Sequence, residues 1–145
     1  METAGEGLEK MDVVKLVFLT IITGGIYSAV WFVKRLNAIN GMASPLKLSQ
    51  GVFGFIIAGC IANWAMVLFL IFSDGLAAPE TMSNISRISD VLGFLIEITL
   101  LLQVFKVRRI FMDHFIENMK RDVKFSWLWT FLFSIFYLQY RINRL

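Results

Sequence analysis

The sequence is short of the residues that build reactive centres. Its 145 residues contain one histidine, one cysteine and two prolines. The lone cysteine, Cys60, excludes an intrachain disulfide, and its place inside an apolar run reads as packing. His114 is the sole imidazole. With only Asp113 and Glu117 beside it, the set is too small for a zinc-type metal site. No nucleophile elbow, phosphate-cradling loop, zinc spacing or pair of buried carboxylates occurs. The expectation is a protein that is not an enzyme and uses no cofactor. Charge is also scarce, with Asp, Glu, Lys and Arg at 17% against about a quarter in soluble domains. The net charge of +3 comes from basic residues beside apolar runs, which points to lipid headgroups and not to nucleic acid. The first twelve residues carry four acids and only Lys10 as a base. No secretory leader is expected, so the apolar segments themselves should direct insertion.

Apolar residues fill what charge leaves. They make up 57% of the chain and gather in four segments, about 13–33, 51–72, 88–107 and 125–140. A spanning helix needs about 20 such residues. The middle two segments meet that, the first meets it only by including Gly24 and Gly25, and the fourth is short. The reading is an all-α integral membrane protein of one domain. A central two-helix transmembrane hairpin is flanked by first and last segments that either cross or return. Ser44-Pro45 reads as a helix start for the second segment, Ser73-Asp74-Gly75 as its end, and Pro79-Glu80 as the next start.

Basic residues choose between the topologies. If all four segments cross, nine Lys and Arg oppose five; if the outer two return, thirteen oppose Arg87 alone. The positive-inside rule favours the second arrangement, with both termini cytoplasmic. Gly24 and Gly25 offer a place to turn, although backbone groups at such a turn must find partners away from water. The fourth segment has no glycine or proline. Its Trp127, Trp129, Tyr137 and Tyr140 suit an interfacial position.

The outer segments echo each other, since residues 26–37 align without gaps on 132–143. Both run from an aromatic through Ser to a second aromatic and end in Arg, an aliphatic and Asn. Thr23, Gly25-Ile26-Tyr27, Trp31 and Asn37, with the closing stretch from Tyr137 to Asn143, resemble the ends of small membrane proteins of the domain of unknown function 4234 family. The resemblance implies a helical fold in a bacterial inner membrane and supplies no activity. Ile135-Phe136 stand where it would place Gly-Pro, which weakens the case for a sharp turn in the fourth segment.

The residues singled out for function are few. Glu97 stands mid-way in the third apolar segment, where a carboxylate costs about 2.5–3.5 kcal/mol on insertion scales. It is expected to face Asn63 at matching depth, with Thr99 or Gln103 as further partners, forming a structural hydrogen bond or an ion path. Gly54, Ala58 and Ala62, four residues apart, offer a close-packing face for another helix or a second copy. Thr23, Gly24, Gly25, Tyr27 and Trp31 form the turn motif. Residues 108–124 read as an amphipathic linker helix continuing out of the third segment, with Phe111, Phe115, Met119 and Val123 on one stripe. Its Arg108, Arg109, Lys120, Arg121 and Lys124 would contact anionic lipids or a partner. The expected function is a membrane scaffold or accessory subunit that oligomerises or docks a membrane protein. A small channel using Glu97 and Asn63, or a lipid-shaping protein, is the alternative.

Overall fold

A computed structural model describes residues 8–73, 78–120 and 124–144, which form helices without strands. Asp12 starts α1, Val13–Ile22, by accepting the Val14 N–H at 2.9 Å. Ten residues span only about 15 Å, half of a hydrocarbon core of about 30 Å. The helix stops at Thr23, and after Gly24 and Gly25 the next helix, α2, Ile26–Asn40, begins. Gly24 and Gly25 have φ of 54° and 91°, a region costly for residues with a Cβ. Their N–H groups donate back to Ile21 and Thr20 carbonyls at 3.1 and 2.8 Å, the Schellman pattern that closes a helix end. The Thr23 hydroxyl donates to the Leu19 carbonyl and accepts the Tyr27 N–H. One side chain thus seals the end of α1 and the start of α2. Arg35 meets Glu9 far from the turn, so the two helices lie side by side in opposite directions. Helix α1 with α2 is a hairpin whose tip is the glycine pair.

The connection to α3, Gln50–Phe72, is tied down by Asn40. Its side chain takes the Leu48 N–H at 2.7 Å and donates to the Leu48 carbonyl at 2.9 Å. The helix starts at Ser49 and Gln50, not at Ser44-Pro45. Ser44 Oγ instead accepts the Leu46 N–H and donates to Asp113, a local bond that competes with helix formation. Phe32 stacks on Phe53 at 4.8 Å, and the backbone of Gly24 lies against the Trp64 indole. The tip of the hairpin therefore reaches only part-way along α3.

Pro79 opens α4, Pro79–Met112, as the sequence implied. Helices α3 and α4 run antiparallel, with Ile96 against Gly59 and Ser89 bonded to Asn63. Both are long and apolar enough to cross a membrane by length and composition. The linker expected to continue out of the third segment over 108–124 is helical as far as Asn118. Helix α4 continues to Met112 and ends in a π-helical turn, Asp113–Asn118. Phe111 and Phe115 are buried, and Phe111 packs on Phe125 at 5.6 Å. Their stripe is used for the protein's own core. Arg121 and Val123, like Asp74 and Gly75, lie outside the described residues.

The last helix, α5, Trp127–Ile142, is broken at Ser134, with φ 47° and ψ −126°. Tyr137 Oη accepts the Ser126 N–H at 3.0 Å, and the Arg141 guanidinium lies over Phe125. In a straight helix residues 126 and 137 would stand about 16 Å apart, so the two halves fold back on each other. The turn weakened by the missing Gly-Pro is present, one residue upstream at Ser134. The breaks at Gly24 and Ser134 place Tyr27 opposite Tyr137, one helical turn from the gap-free register. The fold is thus a long central hairpin with a short hairpin at each end of the chain. The open ends of all three lie together, at the end of α3 marked by Gln50. Every Lys and Arg of the described residues except Arg87 belongs to that half of the molecule.

The two tips predict stability changes of opposite sign. Gly24→Ala must hold a left-handed backbone, costing about 1–2 kcal/mol, and displace Trp64 as well. Ser134→Gly removes strain and should gain about 0.5–1 kcal/mol. Thermal unfolding in detergent measures both, and the Gly24→Ala loss should shrink in a Trp64→Ala background.

Candidate functional site

The open ends of the two short hairpins meet in one polar cluster. Trp31, Arg35 and Gln139 are fully buried there. Trp31 Nε1 donates to Gln139 Oε1 at 2.7 Å, joining α2 to α5. Gln139 Nε2 donates to Asn143 Oδ1 at 2.8 Å and to the Glu9 carbonyl at 3.4 Å. Asn143 then holds Met11 by both backbone groups, accepting its N–H at 3.2 Å and donating to its carbonyl at 2.7 Å. Arg35 lies over the Trp31 ring at 4.8 Å and donates to the Glu9 carbonyl at 2.6 Å. The stretch before α1 is therefore clasped between the two hairpins. Burial pulls the Arg35 pKa down, and Glu9 and Tyr27 oppose that pull. An arginine stays charged even so. Its carboxylate, Glu9, is exposed at 3.9 Å, so most of its stabilisation comes from the carbonyls and the indole face.

Tyr27 Oη donates to Met11 Sδ at 4.0 Å, adding to the clasp. Asn63 does not pair with Glu97. It accepts from Ser89 Oγ at 2.8 Å, and Glu97 is exposed two turns further along α4. Thr99 bonds its own helix at Leu95. Gly54, Ala58 and Ala62 are exposed on the outer face of α3, and a Cβ on Gly54 would meet nothing within 4 Å. Arg108 is not free for lipid. It donates twice to the Phe125 carbonyl, at 3.0 and 2.7 Å, fixing the approach to α5. Arg109, Lys120 and Lys124 are exposed. Among the described residues no group of three potential metal ligands forms.

A model of the family described as Domain of unknown function (DUF4234) matches residues 11–144. The chain belongs to that family. No curated protein and no solved structure matches it. In this DUF4234 chain the turn motif and the closing segment are one assembly, because Trp31 from the first bonds Gln139 from the second. The sequence singled out Trp31 and assigned no role to Arg35, Gln139 or Asn143. A signal was available: Trp31 and Arg35 are one helical turn apart, as are Gln139 and Asn143, all at the exits of apolar runs.

A second polar contact anchors the connection before α3. His114 is buried, and its Nδ1 accepts the Ala43 N–H at 3.1 Å. That bond needs a neutral ring, and burial lowers the imidazole pKa from 6.5.

Two outcomes follow from these contacts. Gln139→Leu leaves the Trp31 donor without a partner and removes one of the three hydrogen bonds of Asn143, which should cost about 1–3 kcal/mol. It should also speed amide exchange at residues 9–12, read by mass spectrometry, while exchange in α3 changes little. For His114 the folded pKa lies below the unfolded one, so its stabilising contribution is present above pH 6.5 and lost as pH falls through the lowered value. His114→Gln should flatten the acid limb of a stability-versus-pH curve measured between neutral pH and the onset of carboxylate titration.

Proposed function

We propose that this protein is a non-catalytic scaffold of a bacterial inner membrane. In this reading α3 and α4 cross the bilayer. The two short hairpins enter one leaflet from the cytoplasmic side, where both chain ends also lie. The carrying observation is the reversal at Gly24-Gly25 and again at Ser134. It leaves Arg87 as the sole basic residue at the far end, in accord with the positive-inside rule. The exposed side chains of the hairpins support immersion in lipid. Val14, Phe18, Ile21 and Ile22 of α1 and Trp127 to Phe133 of α5, apart from buried Thr130, are half or more exposed or nearly so. An apolar surface of that extent is foreign to a water-facing monomer.

The scaffold role rests on the outer face of α3. Gly54, Ala58 and Ala62 are exposed, a Cβ on Gly54 would meet nothing within 4 Å among the described residues, and small residues at this spacing let a second helix approach closely. A second copy is the occupant in this reading. The alternative of an ion path through Glu97 and Asn63 has lost its supporting pair. A leaflet wedge remains as a second reading, favoured by two hairpins loading one side of the bilayer.

Single cysteines at positions 10, 41, 78 and 144 in a Cys60→Ala background, probed with an impermeant thiol reagent on intact cells, test the topology. Position 78 alone should react; reaction at 41 but not at 10 would overturn the hairpin arrangement. Gly54→Leu with Ala58→Leu should convert oligomers to monomers in mass photometry. A wild-type chain that is monomeric throughout would sink the scaffold reading.

A further inference from the structure

Between the start of α1 and the two halves of α5 lies a cavity of about 470 Å³, lined by Val13, Trp129, Phe133, Phe136, Tyr137 and Tyr140. The volume falls in the range of small-ligand sites, about 300–1,000 Å³. It exists because α5 folds back at Ser134, which brings Trp129 and Phe133 from one half against Phe136 and Tyr140 from the other. Trp129 and Phe133 stack at 5.3 Å to form one wall. Tyr137 is pinned by the Ser126 N–H, so the other wall is held in place. The walls are apolar, and the groove leads from the polar open end of the hairpin toward its tip.

Two guanidinium groups stand at that open end. Arg144 lies over the Tyr140 ring at 4.4 Å, so it sits on a residue that lines the cavity. Arg141 lies over Phe125 at 5.4 Å, and its buried Nε has no hydrogen-bond partner. Neither is ion-paired, because the one ion pair of the described residues joins Arg35 to Glu9. The nearest acid on α1, Asp12, is committed to capping that helix. Arg144 over a ring that lines the slot, and the unpartnered Nε of Arg141 one helical turn past Tyr137, are a set that a phosphate and a hydrocarbon chain satisfy together.

We propose that this groove binds one anionic phospholipid, with an acyl chain between the halves of α5 and the phosphate at Arg141 and Arg144. The inference rests on the membrane reading and adds to it a discrete lipid site. A free phosphate would leave the apolar walls uncovered, and a zwitterionic lipid would leave the two charges only partly neutralised. The site also gives the second hairpin a reason to carry seven aromatic residues around a turn that it makes against backbone preference.

The full chain purified in a neutral detergent, offered phosphatidylglycerol or phosphatidylcholine of identical chains, tests this by native mass spectrometry. One phosphatidylglycerol should be retained, with a preference of about tenfold or more for two arginines near the headgroup. Arg141→Gln with Arg144→Gln should abolish the preference, and the paired Lys substitutions should keep most of it. Arg87→Gln, at the opposite end, should change nothing. Val13→Trp should fill the groove and lower retention while both arginines remain. Equal retention of the two lipids, a preference that survives the double Gln variant, loss of equal size in Arg87→Gln, or displacement by soluble glycerol phosphate would each overturn the proposal. A chain that stays monodisperse in buffer without detergent would instead overturn the membrane reading, a separable result.

Discussion

Reversing a helical chain in apolar surroundings is possible only if every backbone group freed at the turn finds a partner. The first hairpin meets this with two glycines and one hydroxyl. Thr23 serves both helices, and the glycine N–H groups return to α1. The second hairpin makes its turn at Ser134, a residue with a Cβ in a left-handed conformation. Packing compensates there: Tyr137 caps Ser126, and Arg108 holds the Phe125 carbonyl. Everything else in the fold, including which charges share an end, depends on these two reversals.

The hairpins are not independent arms. The bond from Trp31 to Gln139 joins elements from opposite ends of the chain, and Asn143 fastens Met11 beside it. A stretch with no secondary structure, residues 9–12, thereby becomes the mortar between α2 and α5. Such a network is cooperative, since each buried group depends on the next for its partner. It also explains why Arg35 can be buried with only an exposed carboxylate at 3.9 Å. Its charge is spread over carbonyls and an indole face.

In the proposed setting the molecule is strongly asymmetric across the bilayer. Two spans serve both leaflets, whereas two aromatic-rich hairpins load one. A bound anionic lipid beside α5 would place the arginines, the clasp and the leaflet surface at one level. The small-residue face of α3 points outward, so association of copies would leave the hairpins unobstructed.

Much of this was legible in the residues. The apolar segments, the helix start at Pro79, the break at Gly24-Gly25 and the segregation of basic charge all follow from local rules of solvation and backbone geometry. The turn at Ser134 was obscured because no residue there prefers that backbone; tertiary contacts impose it. Asn63 was readable as a polar packing residue, but its partner was not. Whether Ser89 or Glu97 faced it depended on the axial register and rotation of α4 against α3, which the packing of Ile96 on Gly59 fixes. The stripe of Phe111 and Phe115 showed its period and not its destination, since a lipid surface and the ring of Phe125 are equally apolar. The sequence by itself determined an all-helical chain with two membrane-length helices, because hydropathy and length are local sums. The tertiary structure alone decided that Trp31 meets Gln139 and that Asn143 clasps the N-terminal stretch, because those bonds join residues that only folding brings together.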